Sequence, residues 1–175
     1  MVNSAGDSAA EVRALWGDAL VPIPASLLGP NVSAGTRAFL TEVGLPRDNR
    51  LEFTFYRDER LLTPAVRGPR AYLVFGESGG YVPFAIEAGR DAVVTLHPDG
   101  PFMFVNSTIA DFVYCCGVFG QRVDRLLHTP VPERAPQLDA IRRLFDARDP
   151  EALDPDGLLS AWEDILQPYG PPLAG

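Results

Sequence analysis

Residues 102–113, Phe-Met-Phe-Val-Asn-Ser-Thr-Ile-Ala-Asp-Phe-Val, carry a short apolar strand straight into a helix. Phe102, Phe104 and Val105 have the pattern of a buried strand, and Asn106 or Ser107 can accept hydrogen bonds from the N–H groups that the first helical turn leaves without partners. The stretch reads as a structural corner. It has none of the spacing of a nucleophile, a metal cage or a phosphate loop.

Upstream of the corner the period is two. Leu51, Phe53 and Phe55 alternate with Glu52, Thr54 and Tyr56, and turn residues follow at 57–60. Further strands are expected at 71–75, 82–88, 92–96 and 102–105, separated by 76–80, 89–91 and 98–101. Connections this short favour antiparallel neighbours, because a parallel crossover needs about a dozen residues.

On either side of the strands the period becomes helical. Residues 8–16 place Val12, Leu15 and Trp16 on one face, and Pro22 and Pro24 then interrupt regular structure. In 33–43, Ser33 is the expected N-cap, Phe39, Leu40 and Val43 form an apolar stripe, and Gly44 is a left-handed stop. Downstream, one long helix is expected from Ser107 towards Leu127, weakened by Gly117 and Gly120, where another backbone can come close. After Pro130 and Pro132, residues 135–147 and 154–166 read as two more amphipathic helices, with Asp154 capping the second and Pro155 in its first turn. Strands in the middle with helices at both ends predict a single α+β domain over 8–167. Its central antiparallel sheet has about five or six strands, with N- and C-terminal helices packed on it and 1–7 and 168–175 as flexible tails.

The chain has 175 residues, enough for one sizeable core, and no apolar run of the roughly 18 residues needed to span a bilayer. No basic start followed by an apolar block opens it, so a soluble, unexported, cytoplasmic protein is expected. Fifteen arginines and no lysine stand against 23 acids, for a net charge of −8. This argues against nucleic acid as a direct partner. Charge is uneven: residues 133–175 hold nine acids and four arginines, whereas 47–70 hold six arginines and four acids.

Each tempting site has a plainer reading. Cys115 and Cys116 are adjacent on a helix, where side chains diverge by about 100°, so packed thiols in a reducing compartment are expected rather than a bridge. His97 and His128 have no metal-ligand spacing, and no metal or cofactor is expected. The glycine-rich 76–80 lacks the lysine and the following helix of a phosphate loop and reads as a turn. Asn31-Val32-Ser33 and Asn106-Ser107-Thr108 match a glycosylation pattern, but capping explains both. Trp16, Trp162 and Tyr169 read as core or core-edge aromatics. The acidic cluster Asp149, Glu151, Asp154 and Asp156 lacks the spacing of a calcium loop; it reads either as solvated helix caps or as a partner-binding surface.

Three segments in order resemble one family: 36–46 (Thr-Arg-Ala-Phe-Leu-Thr-Glu-Val-Gly-Leu-Pro), 104–112 (Phe-Val-Asn-Ser-Thr-Ile-Ala-Asp-Phe), and 149–166, with Asp-Pro-Glu-Ala-Leu followed by Trp162 and Ile165-Leu166. Together they resemble the SUKH superfamily, in particular its SUKH-4 branch, abundant in actinobacteria. Thr108 departs from the pattern, standing where a second serine is expected. The resemblance implies a non-enzymatic immunity protein that binds and neutralises a cognate polymorphic-toxin domain, often a nuclease or nucleic-acid deaminase. No catalytic residue carries over. A peptide- or protein-binding regulatory scaffold with no toxin partner is the alternative. Genomic context would separate the two.

Overall fold

The computed structural model describes residues 5–47, 51, 53–97, 103–154 and 159–170. Helix α1 (Ala5–Trp16) leads into β1 (Leu20–Val21), α2 (Ala34–Glu42) and β2 (Leu45–Pro46). The main sheet then forms from β3 (Phe53–Phe55), β4 (Thr63–Arg67), β5 (Arg70–Ser78), β6 (Val82–Glu87), β7 (Val93–Thr95) and β8 (Met103–Asn106). The remaining helices are α3 (Ile109–Gly120), α4 (Val123–His128), α5 (Ala135–Arg148) and α6 (Ala161–Leu166). The architecture is α+β, with an antiparallel sheet of six strands.

β5 is the spine of the sheet. Along one edge it pairs with β4 through Thr63↔Val74 to Arg67↔Arg70, and further along the same edge with β3 through Phe53↔Ser78 to Phe55↔Gly76. Its other edge pairs with β6, and β7 and β8 follow. β4 and the small β1–β2 pair carry no sequence signal. Thr-Pro-Ala-Val-Arg has no apolar alternation, and a proline is tolerated only where its missing N–H faces an edge. The expected turn at 76–80 is shorter, since β5 continues through Ser78.

One face of the sheet meets the helices. Phe112 of α3 is fully buried among four rings from the sheet, Phe53, Phe55, Phe75 and Phe84, with centroids 5.0–6.3 Å away. Aromatic pairs at such distances add to the area they bury. Tyr72, Ala85, Val94 and Leu96 form a second buried cluster on the opposite face.

The first two helices follow the sequence pattern closely. Ser33 Oγ accepts from Thr36 N at 3.1 Å, and Gly44 sits at φ 89°. A Cβ at Gly44 would lie 2.0 Å from the carbonyl oxygen of Val21, so only glycine lets β1 and β2 meet there. Gly117 of α3 allows a similar approach by α1: a Cβ would lie 2.8 Å from Trp16 Nε1, which donates to Val113 O at 2.9 Å.

Two helices differ from expectation. The stretch 107–127 is not one helix: α3 ends at Gly120 and α4 restarts at Val123, with Gln121 Nε2 turned back to Leu15 O. The last helix starts at Ala161 rather than 154, and Ser160 Oγ is its cap, accepting from Glu163 N. Asp154 is exposed in a bend, and Pro155 lies outside the described residues.

Candidate functional site

The corner is built by a bulge. Val93 pairs with Asn106 but Val94 pairs with Phe104, which leaves Val105 as the extra residue of β8. Opposed residues share a face, so Asn106 joins Val93 on the helical side instead of alternating away from it. Asn106 is fully buried there. Its Oδ1 accepts from Trp162 Nε1 at 2.9 Å, and its Nδ2 donates to Asp149 Oδ2 at 2.9 Å.

Asp149 receives two more donors, Ser107 N at 2.8 Å and Ser107 Oγ at 2.7 Å. It is only 3% exposed. A buried carboxylate is tolerated when its oxygens are met by donors, and here the backbone and side chains of the corner supply them. Asn106 and Ser107 therefore do not cap α3, as the sequence suggested. Thr108 caps it, accepting from Asp111 N at 3.2 Å and donating to Asp111 Oδ2 at 2.6 Å. A threonine serves at this position as a serine would, because the hydroxyl is what the cap uses.

Arg148, the neighbour of Asp149, turns the other way. Its Nε donates to Asp111 Oδ1 at 2.6 Å, its Nη1 to Glu11 Oε2 at 2.6 Å and its Nη2 to Ser8 Oγ. Its guanidinium also lies over the Tyr114 ring, 4.9 Å from the centroid. Burial pushes the Asp111 carboxyl up in pKa, against the lowering by Thr108 and Arg148. Two adjacent residues at the end of α5 thus fasten both sides of the corner. Asp149 holds its strand side and Arg148 ties the start of α3 to α1. Arg148 carries no motif of its own in the sequence; its place beside Asp149 is its only local signal.

Above this corner, α1, α2 and the first turn of α3 enclose a cleft of about 530 Å³, which the 88–92 turn reaches through Asp91. Ala9, Ala38, Phe39, Val43, Ile109 and Ala110 give it apolar walls. Arg13, Glu42, Asp91, Asp111 and Arg148 supply its charge.

Of the acidic cluster expected at Asp149, Glu151, Asp154 and Asp156, the described members differ in burial. Asp149 lies inside, as a brace of the corner and not as a solvated cap, because the Asn106–Ser107 donors draw it in. Glu151 and Asp154 are exposed, and Asp156 lies outside the described residues. Cys115 and Cys116 are free and fully buried, and burial holds both thiols above their usual pKa. Trp162 is fully buried, whereas Trp16 and Tyr169 sit at the core edge. His97 is half-buried and His128 exposed, and among the described residues no cluster of His, Cys, Asp and Glu could hold a metal ion. Among the same residues no helix is long and apolar enough to cross a membrane.

The family model described as SUKH-4 immunity protein matches residues 8–167, which takes in most of α1 and the described strands and helices from β1 through α6. The chain belongs to the SUKH-4 immunity protein family. No curated protein matches it significantly, and no solved structure does. In this SUKH-4 chain, the most distinctive motif residues, Asn106, Ser107, Asp149 and Trp162, are bonded to one another. Their bonds hold strand, helix and corner together.

Proposed function

We propose that this protein is a non-enzymatic immunity protein of the cytoplasm, which binds a cognate toxin domain of nuclease or nucleic-acid deaminase type and blocks it. The observation that carries the reading is the family match over 8–167. The physical support is charge. Toxins that act on nucleic acid need a basic cleft to hold phosphate, and a chain of net charge −8 is drawn to such a cleft over long range and competes for it.

Glu151 and Asp154, exposed just beyond the corner, belong to the surface we assign to this encounter, as does Asp156. The decisive experiment is co-expression with the toxin domain encoded beside the gene. Protection of the cell together with a stable complex supports the reading; death of the cell with no complex on co-purification refutes it. Glu151→Arg with Asp154→Arg is expected to slow association several-fold at low salt, with the gap closing as salt is raised. An unchanged on-rate would exclude that surface while leaving the immunity role in place.

A further inference from the structure

We infer that the 530 Å³ cleft between α1, α2 and the start of α3 is a receptor for one cationic side chain, an arginine or lysine presented by the protein partner. The identity of that partner as a toxin rests on the function proposed above.

Several charges around the cleft are already paired. Arg148 is spent on Asp111, Glu11 and Ser8. Asp111 is spent on Arg148 and Thr108. Glu42 and Asp91, by contrast, have no ion-pair or hydrogen-bond partner for their carboxylates among the described residues. Arg13 gives its Nη2 to the main-chain oxygen of Glu42 at 3.0 Å, so it does not neutralise that carboxylate. Two arginines, Arg13 and Arg148, and three acids, Glu42, Asp91 and Asp111, line the cleft, and Arg148 is shared with a further acid, Glu11. The site is short of positive charge.

The walls suit the same guest. Arginine and lysine carry their charge on apolar stems that prefer to lie along apolar surface. Ala38, Phe39, Val43 and Ile109 provide that surface, with Glu42 and Asp91 available to the head group. A volume of 530 Å³ leaves room for one long side chain and part of the backbone that carries it. The opposite guest, an anion on the first turn of α3, is disfavoured because Asp111 already occupies that turn and the charge of Arg148 is already paired with Asp111 and Glu11.

Asp91 sits at φ 60°, a left-handed conformation that asparagine tolerates as well as aspartate does. The variant Glu42→Gln with Asp91→Asn therefore removes both charges while keeping the backbone. Amide NMR spectra of the whole chain would be titrated with N-acetyl-arginine amide, and with N-acetyl-glutamate amide as the control. The expected result is saturable shifts confined to residues 38–43, 91 and 109–111 for the arginine probe alone, weakened at least tenfold in the variant. Shifts elsewhere, equal shifts from the glutamate probe, or an unaffected variant overturn the inference.

A cellular arm separates this claim from the immunity role. If the native chain protects against the toxin and a folded Glu42→Arg, Asp91→Asn variant fails to, the cleft is the docking site. Equal protection by both overturns the cleft and leaves the immunity role standing. If the native chain does not protect, the immunity role falls and the probe titration alone decides the cleft.

Discussion

Replacing Asp149 by alanine removes the carboxylate that accepts from Asn106 Nδ2, Ser107 N and Ser107 Oγ at 2.7–2.9 Å. Asn106 is fully buried and its Nδ2 would keep only the weak acceptor Cys115 Sγ at 3.6 Å, so the N–H that faced Asp149 goes unmet, and a buried donor without its acceptor costs about 1–3 kcal/mol. Ser107 is half-buried and regains part of its bonding from solvent. Relief from burying a charge offsets some of the rest, which places the net loss at about 3–4 kcal/mol. Domains are stable by only about 5–15 kcal/mol, and one of this size loses about 2–4 °C in Tm per kcal/mol. A fall of about 6–16 °C is therefore expected, read by thermal and urea unfolding.

Two comparisons sharpen that measurement. Glu151→Ala and Asp154→Ala, both at exposed positions, should change stability by no more than about 0.5 kcal/mol. Asn106→Ala combined with Asp149→Ala should cost less than the sum of the single losses, by about 1 kcal/mol or more, because both act on one network. A loss below about 1 kcal/mol for Asp149→Ala, or strict additivity with Asn106→Ala, would refute the bracing role, since a solvated cap is worth about that much and acts alone.

Gly117→Ala sets two principles against each other. Helix propensity alone favours alanine by about 1 kcal/mol, but the new Cβ would sit 2.8 Å from Trp16 Nε1, so a net loss of about 1–3 kcal/mol is expected in urea unfolding, with a change in tryptophan fluorescence. Stabilisation would show that α1 does not press on α3. Tyr56 is held up at about 12, first by burial and then by its hydrogen bond to Glu77. Its folded pKa is raised, so the folded state keeps the proton longer than the unfolded chain and stability falls as pH rises from about 10 to 12. The difference in absorbance titration between the native chain and Tyr56→Phe should centre near 12. A midpoint near the ordinary 10 would refute the contact.

Much of the fold is legible in the residue order because its signals are local. Ser33 caps and Gly44 terminates α2 within one turn of chain, and Phe53 alternates with Thr54 over a few residues. The corner at 102–113 announces strand then helix, which with the flanking periods is enough for an α+β domain around an antiparallel sheet. Two windows failed where the deciding partner is remote. β4 is a strand only because β5 is there to pair with it, and the helix over 107–127 breaks where Gln121 reaches back to Leu15.

The site was less legible for the same reason. Asp149 and Arg148 are neighbours in sequence, yet one closes a buried network with Asn106 and the other joins Asp111 to Glu11, more than a hundred residues from it along the chain. Local pattern and composition determined by themselves the fold class, the net charge of −8 and the family resemblance, since each is a property of short segments or of a simple count. Only the tertiary structure decided which of the described acids are inside and which are exposed. A carboxylate's role depends on the donors that long-range packing brings to it, and the Val105 bulge that aims Asn106 inward has no local signature.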